Sequence, residues 1–378
     1  MRSRKLSFSF ATTLGVAILV AGLAPGSVGG VIVPTPKIAR WATVLCQFEG
    51  KDTKPHPKSY YENLMSNERP GMEHYFEDVS YGRLDLRPSE AFGWFELPHR
   101  QAYYNRNEPY EVPENAWRDC MKAADRRVHF PDYFGINLWF NGKLANRGWG
   151  ISRYVRIDGR GKNYGITIMS EPSTWEDDGG TPNGILAHEM GHGFQLQHSA
   201  GRYRTYYSHW DLMGTIGQGC GYDFPEEFFC IPVHPIAFHK FRLGWITAAD
   251  SYVGRAGTSR TIRLVPLSHG PQEGAYLWAR IPLDGKHPGY LTIEARALDG
   301  YDDQLRAPGA IIIHRWDRTA TQATGDHPYM IDTDGGGSSQ PNGERWIPGE
   351  TFVHKSGASV SILAQNEDGS YNVTIAGP

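Results

Sequence analysis

The stretch Gly184-Ile185-Leu186-Ala187-His188-Glu189-Met190-Gly191-His192-Gly193-Phe194-Gln195-Leu196-Gln197-His198 constrains the fold more tightly than any other part of the chain. Leu186, Met190 and Phe194 recur at the i, i+4, i+8 spacing of one helix face, with Thr181 as candidate N-cap and Pro182 in the first turn. His188 and His192, four apart, share a different face, so their imidazoles can converge on one metal ion. Glu189 stands about 100° round the helix from His188, where it can reach a water on that ion without ligating it. On a continued helix His198 would point elsewhere, so the chain must turn after about Phe194 to deliver a third imidazole. A fourth position then stays open for water. Gly184, Gly191 and Gly193 each cost about 1 kcal/mol in a helix interior relative to Ala. They therefore imply close approach of another element or of a substrate, with tight packing alone as the plainer reading.

Upstream of this helix, strands and helices alternate. Trp41–Phe48 is apolar and β-rich enough for a buried strand, and the runs 83–88 and 93–98 predict two more, each ended by Pro. Helices are expected within Tyr60–Ser80 and Pro113–Val128, and strands at 135–140, 152–157 and 164–169. Helices interleaved with strands make an α/β layer structure.

After a helical segment around Pro235–Leu243, only short alternating runs remain, at 261–267, 276–283, 290–298, 310–316 and 358–365. Gly and Pro recur between them, as a sandwich with tight turns requires. The segment 333–343, TDGGGSSQPNG, is expected to be a loop or a metal-binding turn. A boundary near residue 248 follows.

Composition narrows the classes further. With 378 residues, 40% hydrophobic and 21% charged, the chain can build a sizeable core, and 38 basic against 41 acidic side chains offer no excess positive charge for nucleic acid. Gly 44 and Pro 25 exclude a coiled coil. Arg2, Arg4 and Lys5 precede an apolar run from Leu6 to Ala24 and then small residues, the pattern of a secretory signal peptide over 1–30. Ser and Thr at 7, 9, 12 and 13 shorten the strongly apolar stretch, which argues against a spanning anchor. Export makes disulfides the expected state of Cys46, Cys120, Cys220 and Cys230, with three connectivities open. The short loop favours Cys220 with Cys230, leaving Cys46 with Cys120.

His188, Glu189, His192 and His198, followed by Trp210-Asp211-Leu212-Met213-Gly214, resemble the zinc-binding consensus and Met-turn of metzincin peptidases. Within those, the chain looks like the immune inhibitor A-like secreted metallopeptidases. Further landmarks are the segment Tyr75–Leu86, Pro235 through Leu243-Gly244-Trp245-Ile246, the segment Tyr290–Arg296, and Pro308–His314, so the likeness covers nearly all of the chain beyond the signal. The resemblance implies an α/β (α+β) metzincin-like catalytic domain over 31–247, followed by an all-β sandwich domain over 248–378. It also implies that Met213 packs beneath the metal site, touching the ligand histidines, as a floor and not as a ligand.

The function implied is that of a secreted zinc endopeptidase: His188, His192 and His198 hold one Zn2+, and Glu189 is the general base and acid toward the zinc-activated water. One departure bears on the third ligand. The family pattern has Gly three residues after the second His, where this chain has Gln195, so either the turn shifts to Gly193 or Gln195 takes a left-handed conformation at a cost of about 1–2 kcal/mol. The alternative function is a catalytically inactive zinc-binding relative acting as a binding module; a zinc amidase is a third reading. About ten residues between signal and first strand leave no room for a long pro-segment. Tyr206, Tyr207 and His209 are candidate oxyanion donors, whereas His234 and His239 belong to a packing helix. Asp177, Asp178, Asp332 and Asp334 can supply oxygen ligands to Ca2+, with solvated turns as the competing reading. Expected partners are protein or peptide substrates, with no nucleic acid, no stable membrane association after signal removal, and a monomeric state.

Overall fold

The computed structural model describes residues 34–105, 113–144, 148–171, 182–200, 208–214, 232–283, 288–303, 305, 307–317, 328–331 and 341–378. The signal segment, Thr181, Tyr206, Tyr207, the Cys220–Cys230 pair and Asp177, Asp178, Asp332 and Asp334 lie outside these residues. The helices among them are α1 (Lys58–Met65), α2 (Met72–Val79), α3 (Gln101–Tyr104), α4 (Glu114–Ala124), α5 (Pro182–Gly193) and α6 (Ala237–Arg242). None is long and apolar enough to cross a membrane.

Strands β1 (Trp41–Gln47), β2 (Glu90–Glu96), β3 (Gly135–Phe140), β4 (Gly148–Ile157) and β5 (Arg160–Met169) form one sheet in the order β2-β1-β3-β5-β4. The first four in that order are parallel, and β4 runs antiparallel to β5 at the edge. Both faces are covered, because successive side chains alternate. Trp41, Leu45, Trp139 and Met169 pack with α1, α2 and α5. Ala42, Val44, Cys46, Ile136 and Leu138 pack on the opposite face with α4. There Cys46 and Cys120 form a disulfide joining β1 to α4.

The remaining strands are β6 (Ser251–Val253), β7 (Ser259–Leu264), β8 (Trp278–Leu283), β9 (Gly289–Arg296), β10 (Ala310–Asp317), β11 (Tyr329–Met330), β12 (Arg345–Trp346), β13 (Thr351–Val353), β14 (Ser359–Gln365) and β15 (Tyr371–Ala376). A six-stranded sheet runs β11-β10-β9-β8-β6 with β12 also on β10, and a four-stranded sheet runs β13-β14-β15-β7. Ile281, Leu291, Ile293 and Ile313 of the former share an apolar core with Leu264, Val360, Val373 and Ile375 of the latter. The other face of the six-stranded sheet is also buried, and it carries a polar group, Thr292, Glu294, Arg296 and His314, each fully inaccessible, between apolar clusters that include Tyr290, Trp316, Ala310 and Ile312. The architecture is thus mixed α/β, with three sheets and short helices among the described residues.

One expectation needs correction. The run 83–88 is not a strand; it makes a single bridge, Asp85 with Ile38, and its Leu84 N–H is taken by the Ser80 hydroxyl at 2.9 Å. Pro88, which has no N–H to offer, closes it. Within Tyr60–Ser80 the expected helix is present, and there are two, α1 and α2, separated between Met65 and Met72 where Pro70 cannot continue a hydrogen-bonded ladder.

Candidate metal centre

Helix α5 lies against β4 and β5, and its glycines explain how it comes so close. A Cβ on Gly193 would stand 2.7 Å from Trp41 Cη2 and 3.1 Å from Gly165 Cα. A Cβ on Gly191 would stand 2.5 Å from Met213 Sδ. Packing alone therefore accounts for both. Leu186, Met190 and Phe194 join the apolar core as their spacing predicts. The histidine side is enclosed as well, so the helix is buried almost all round and His188 is only 1% exposed.

After α5 the chain turns at Gln195, which adopts φ +67°, and not at Gly193. Leu196 N–H reaches back to the Gly191 carbonyl at 3.0 Å and Gln195 N–H to that of His192 at 2.9 Å, which satisfies the carbonyls left open at the helix end. The turn brings His198 round to His192, Nε2 to Nε2 at 2.8 Å. Ligand atoms of His188, His192 and His198 all lie within 4.8 Å of one another. His192 and His198 are partly exposed, so the cluster opens to solvent on their side.

The ring nitrogens are already assigned by their backbone partners. His188 Nδ1 is 2.9 Å from the Leu212 carbonyl and His192 Nδ1 is 2.9 Å from the Leu196 carbonyl. A carbonyl can only accept, so Nδ1 carries the proton in both rings, which leaves the lone pair of a neutral ring on Nε2. Burial pushes the His188 pKa down to about 3, with the neighbouring His192 adding to the effect, so that imidazole is neutral and a donor of electrons. Such a donor set fits a cation held at Nε2. Three nitrogens on tetrahedral zinc, each at about 2.0–2.1 Å, stand about 3.3 Å apart, which agrees with the closeness of these rings.

Glu189 is 7% exposed and faces β4. Gly148 and Gly150 leave room for it: a Cβ on Gly148 would lie 3.1 Å from its Oε1, and one on Gly150 would lie 2.1 Å from its carbonyl oxygen. Burial raises the Glu189 carboxyl to about 8, and the Gly150 N–H, bonded to it, works the other way. The alternating glycines of Gly148-Trp149-Gly150 were the signal available for this contact, since a strand omits side chains where another backbone approaches.

The loop Ser208–Gly214 closes the site from the far side. Met213 is fully buried, its thioether against Gly191, and its carbonyl accepts from Ser199 N–H at 3.0 Å, next to His198. Asp211 accepts from Ile236 N–H at 3.0 Å and pairs with His239 Nδ1 at 3.1 Å. Its own burial would raise its pKa, but His239, Ile236 N–H and Ser199 outweigh that and hold it down at about 2. His209, a candidate oxyanion donor, is 8% exposed within this loop. His234 and His239 lie in the buried polar layer around α6.

Behind the loop stands Arg296 of β9. Its guanidinium donates to Asp302 at 2.7 and 2.6 Å, to Glu294 at 3.2 Å and to the Trp210 carbonyl. Burial opposes its charge, but the Asp302 and Glu294 carboxylates more than compensate and raise its pKa. Sequence reading missed this group, because Glu294 and Arg296, two apart on one strand face, carry no local sign of burial. No protein-family model matches the chain, and no curated protein matches it either.

Proposed function

We propose that the protein is a secreted zinc endopeptidase of the metzincin kind, similar to the immune inhibitor A-like metallopeptidases, with its catalytic domain over 31–247 and a β-sandwich domain over 248–378. The observation that carries this reading is the convergence of His188, His192 and His198, with the Glu189 carboxyl of the same helix packed against strand β4. Zinc bound by the three Nε2 atoms would polarise a scissile carbonyl and make a water acidic.

The chain's own groups supply the rest. The Leu212 and Leu196 carbonyls fix the His188 and His192 rings, which keeps their lone pairs aimed at one point. In its ionised form Glu189 takes the proton of the attacking water and returns it to the leaving amine, with the Gly150 N–H holding its carboxylate. Among the described residues strand β4 is the edge of its sheet, so backbone groups on its outer side can pair with an extended peptide laid across the partly exposed histidines. That geometry favours a peptide over a small substrate.

The test is mass-spectrometric detection of cleavage in a diverse peptide pool, using the chain from residue 31 with zinc and Glu189→Ala as matched control. Cuts that vanish in Glu189→Ala while one zinc is retained are the expected result, with zinc lost in His188→Ala. A folded, zinc-loaded protein that cuts nothing would be a binding module instead.

A further inference from the structure

The two segments that complete the histidine cluster both hang from the six-stranded sheet. Ala200, two residues after His198, pairs with β11: its N–H donates to the Pro328 carbonyl at 3.1 Å and its carbonyl accepts from Met330 N–H at 2.9 Å. Trp210, two residues before the Leu212 carbonyl that orients His188, is held at both ends by the same sheet region. Its carbonyl accepts from Arg296, and its indole N–H donates to Glu344 at 3.1 Å.

Arg296 is the centre of this attachment. It is fully buried and forked between Asp302 and Glu294, and those two carboxylates also accept the backbone N–H groups of His234 at 3.0 Å and Ala237 at 2.7 Å. The planar guanidinium therefore sets the height of the loop Ser208–Gly214 and of the α6 entry segment together. A lysine could supply the charge but not the fork.

We propose that Arg296 is a positioning residue for the metal site: through Trp210 it places the Leu212 carbonyl, and that carbonyl sets the His188 ring. The outer face of the C-terminal sheet is then a working part of the centre. This rests on reading the three histidines as metal ligands, and the test separates the two ideas.

Co2+ is titrated into metal-free protein, wild type and His188→Ala, Arg296→Lys and Asp302→Asn, with affinity and visible absorption spectrum as readouts and folding checked by circular dichroism. Wild type is expected to bind one Co2+ with a tetrahedral spectrum that His188→Ala loses. Arg296→Lys and Asp302→Asn are expected to bind about 10–100-fold more weakly with a shifted spectrum. Asp302→Asn keeps the guanidinium but turns an amide against one of its donors, so it decides the matter if Arg296→Lys does not fold. Equal binding by wild type and His188→Ala would overturn the ligand reading. A wild type that binds as expected, beside folded variants of unchanged affinity and spectrum, would overturn the role of Arg296 alone. A merely structural arginine would lower the melting temperature and leave the Co2+ spectrum where it was.

Discussion

His192 and His198 stand six residues apart and bring their Nε2 atoms to 2.8 Å. The residue between them that makes this approach possible is Gln195, at φ +67°. Two lone pairs would repel at that distance, so a proton or a cation must lie between the two nitrogens. The short α5-to-His198 turn is thus part of the site's electrostatics as well as its shape.

Gln195 holds a left-handed conformation that costs a side-chain-bearing residue about 1–2 kcal/mol. Glycine would remove that strain and lose part of the gain, about 0.5–1 kcal/mol, to the greater freedom of the unfolded chain. Gln195→Gly should therefore stabilise the protein by up to about 1 kcal/mol, while Gln195→Val, β-branched, should destabilise it. Urea unfolding of the three proteins checks the order. A Gln195→Gly protein less stable than wild type would mean that the exposed Gln195 side chain contributes more than its strain costs.

The α5 helix and the shared face of His188 and His192 were legible because they depend on local spacing, as Leu186, Met190 and Phe194 also repeat every four residues. The strands of the first sheet were legible from apolar β-rich runs. The run 83–88 was misread because alternation reports burial and not pairing. Leu84 and Leu86 are indeed buried, at 0% and 1% exposure, yet only Asp85 between them makes a bridge. In Tyr290–Arg296 the same limit acted in reverse. Period 2 assigns Glu294 and Arg296 to one face, which would ordinarily be the wet one, and nothing local announces that α6 and the Ser208–Gly214 loop cover it. Likewise, no local feature places Leu212 beside His188, since that contact spans 24 residues and a change of direction.

The Cys46–Cys120 disulfide closes a loop of 74 residues in sequence separation. In the chain-entropy account, a cross-link over such a loop disfavours the unfolded state by about 4 kcal/mol. Both cysteines are fully buried, on β1 and α4, where alanine leaves no polar group behind. Cys46→Ala/Cys120→Ala should lose about 2–4 kcal/mol by urea denaturation, and wild type under reducing conditions, where the expected Cys220–Cys230 bond opens as well, should fall at least as far. The α5 site lies on the opposite face of that sheet, so the metal affinity of the folded variant should stay within about twofold of wild type. A tenfold loss would show that the two faces are coupled.

Lys240 is fully buried, its ammonium 2.9 Å from the Tyr81 hydroxyl and 2.7 Å from His234 Nδ1. Burial lowers its pKa from 10.5 to about 7, with Asp302, Asp78 and Glu294 restraining the fall and Arg296 adding to it. Between about pH 7 and 10.5 the unfolded chain then holds a proton that the folded chain does not, so this group makes stability rise with pH across that window and lose the gain as pH falls through 7. Glu294, raised to about 7 by burial against the pull of Arg296, contributes the opposite slope, but below pH 7 and above its ordinary value. The two effects separate by range. Comparing wild type with Lys240→Met cancels what both share, and wild-type stability should gain about 1–3 kcal/mol relative to the variant between pH 7.5 and 9.5. Parallel curves in urea unfolding across that range would mean that Lys240 keeps its proton in the folded protein. The carboxylates around Arg296 would then be paired with two buried cations and not one.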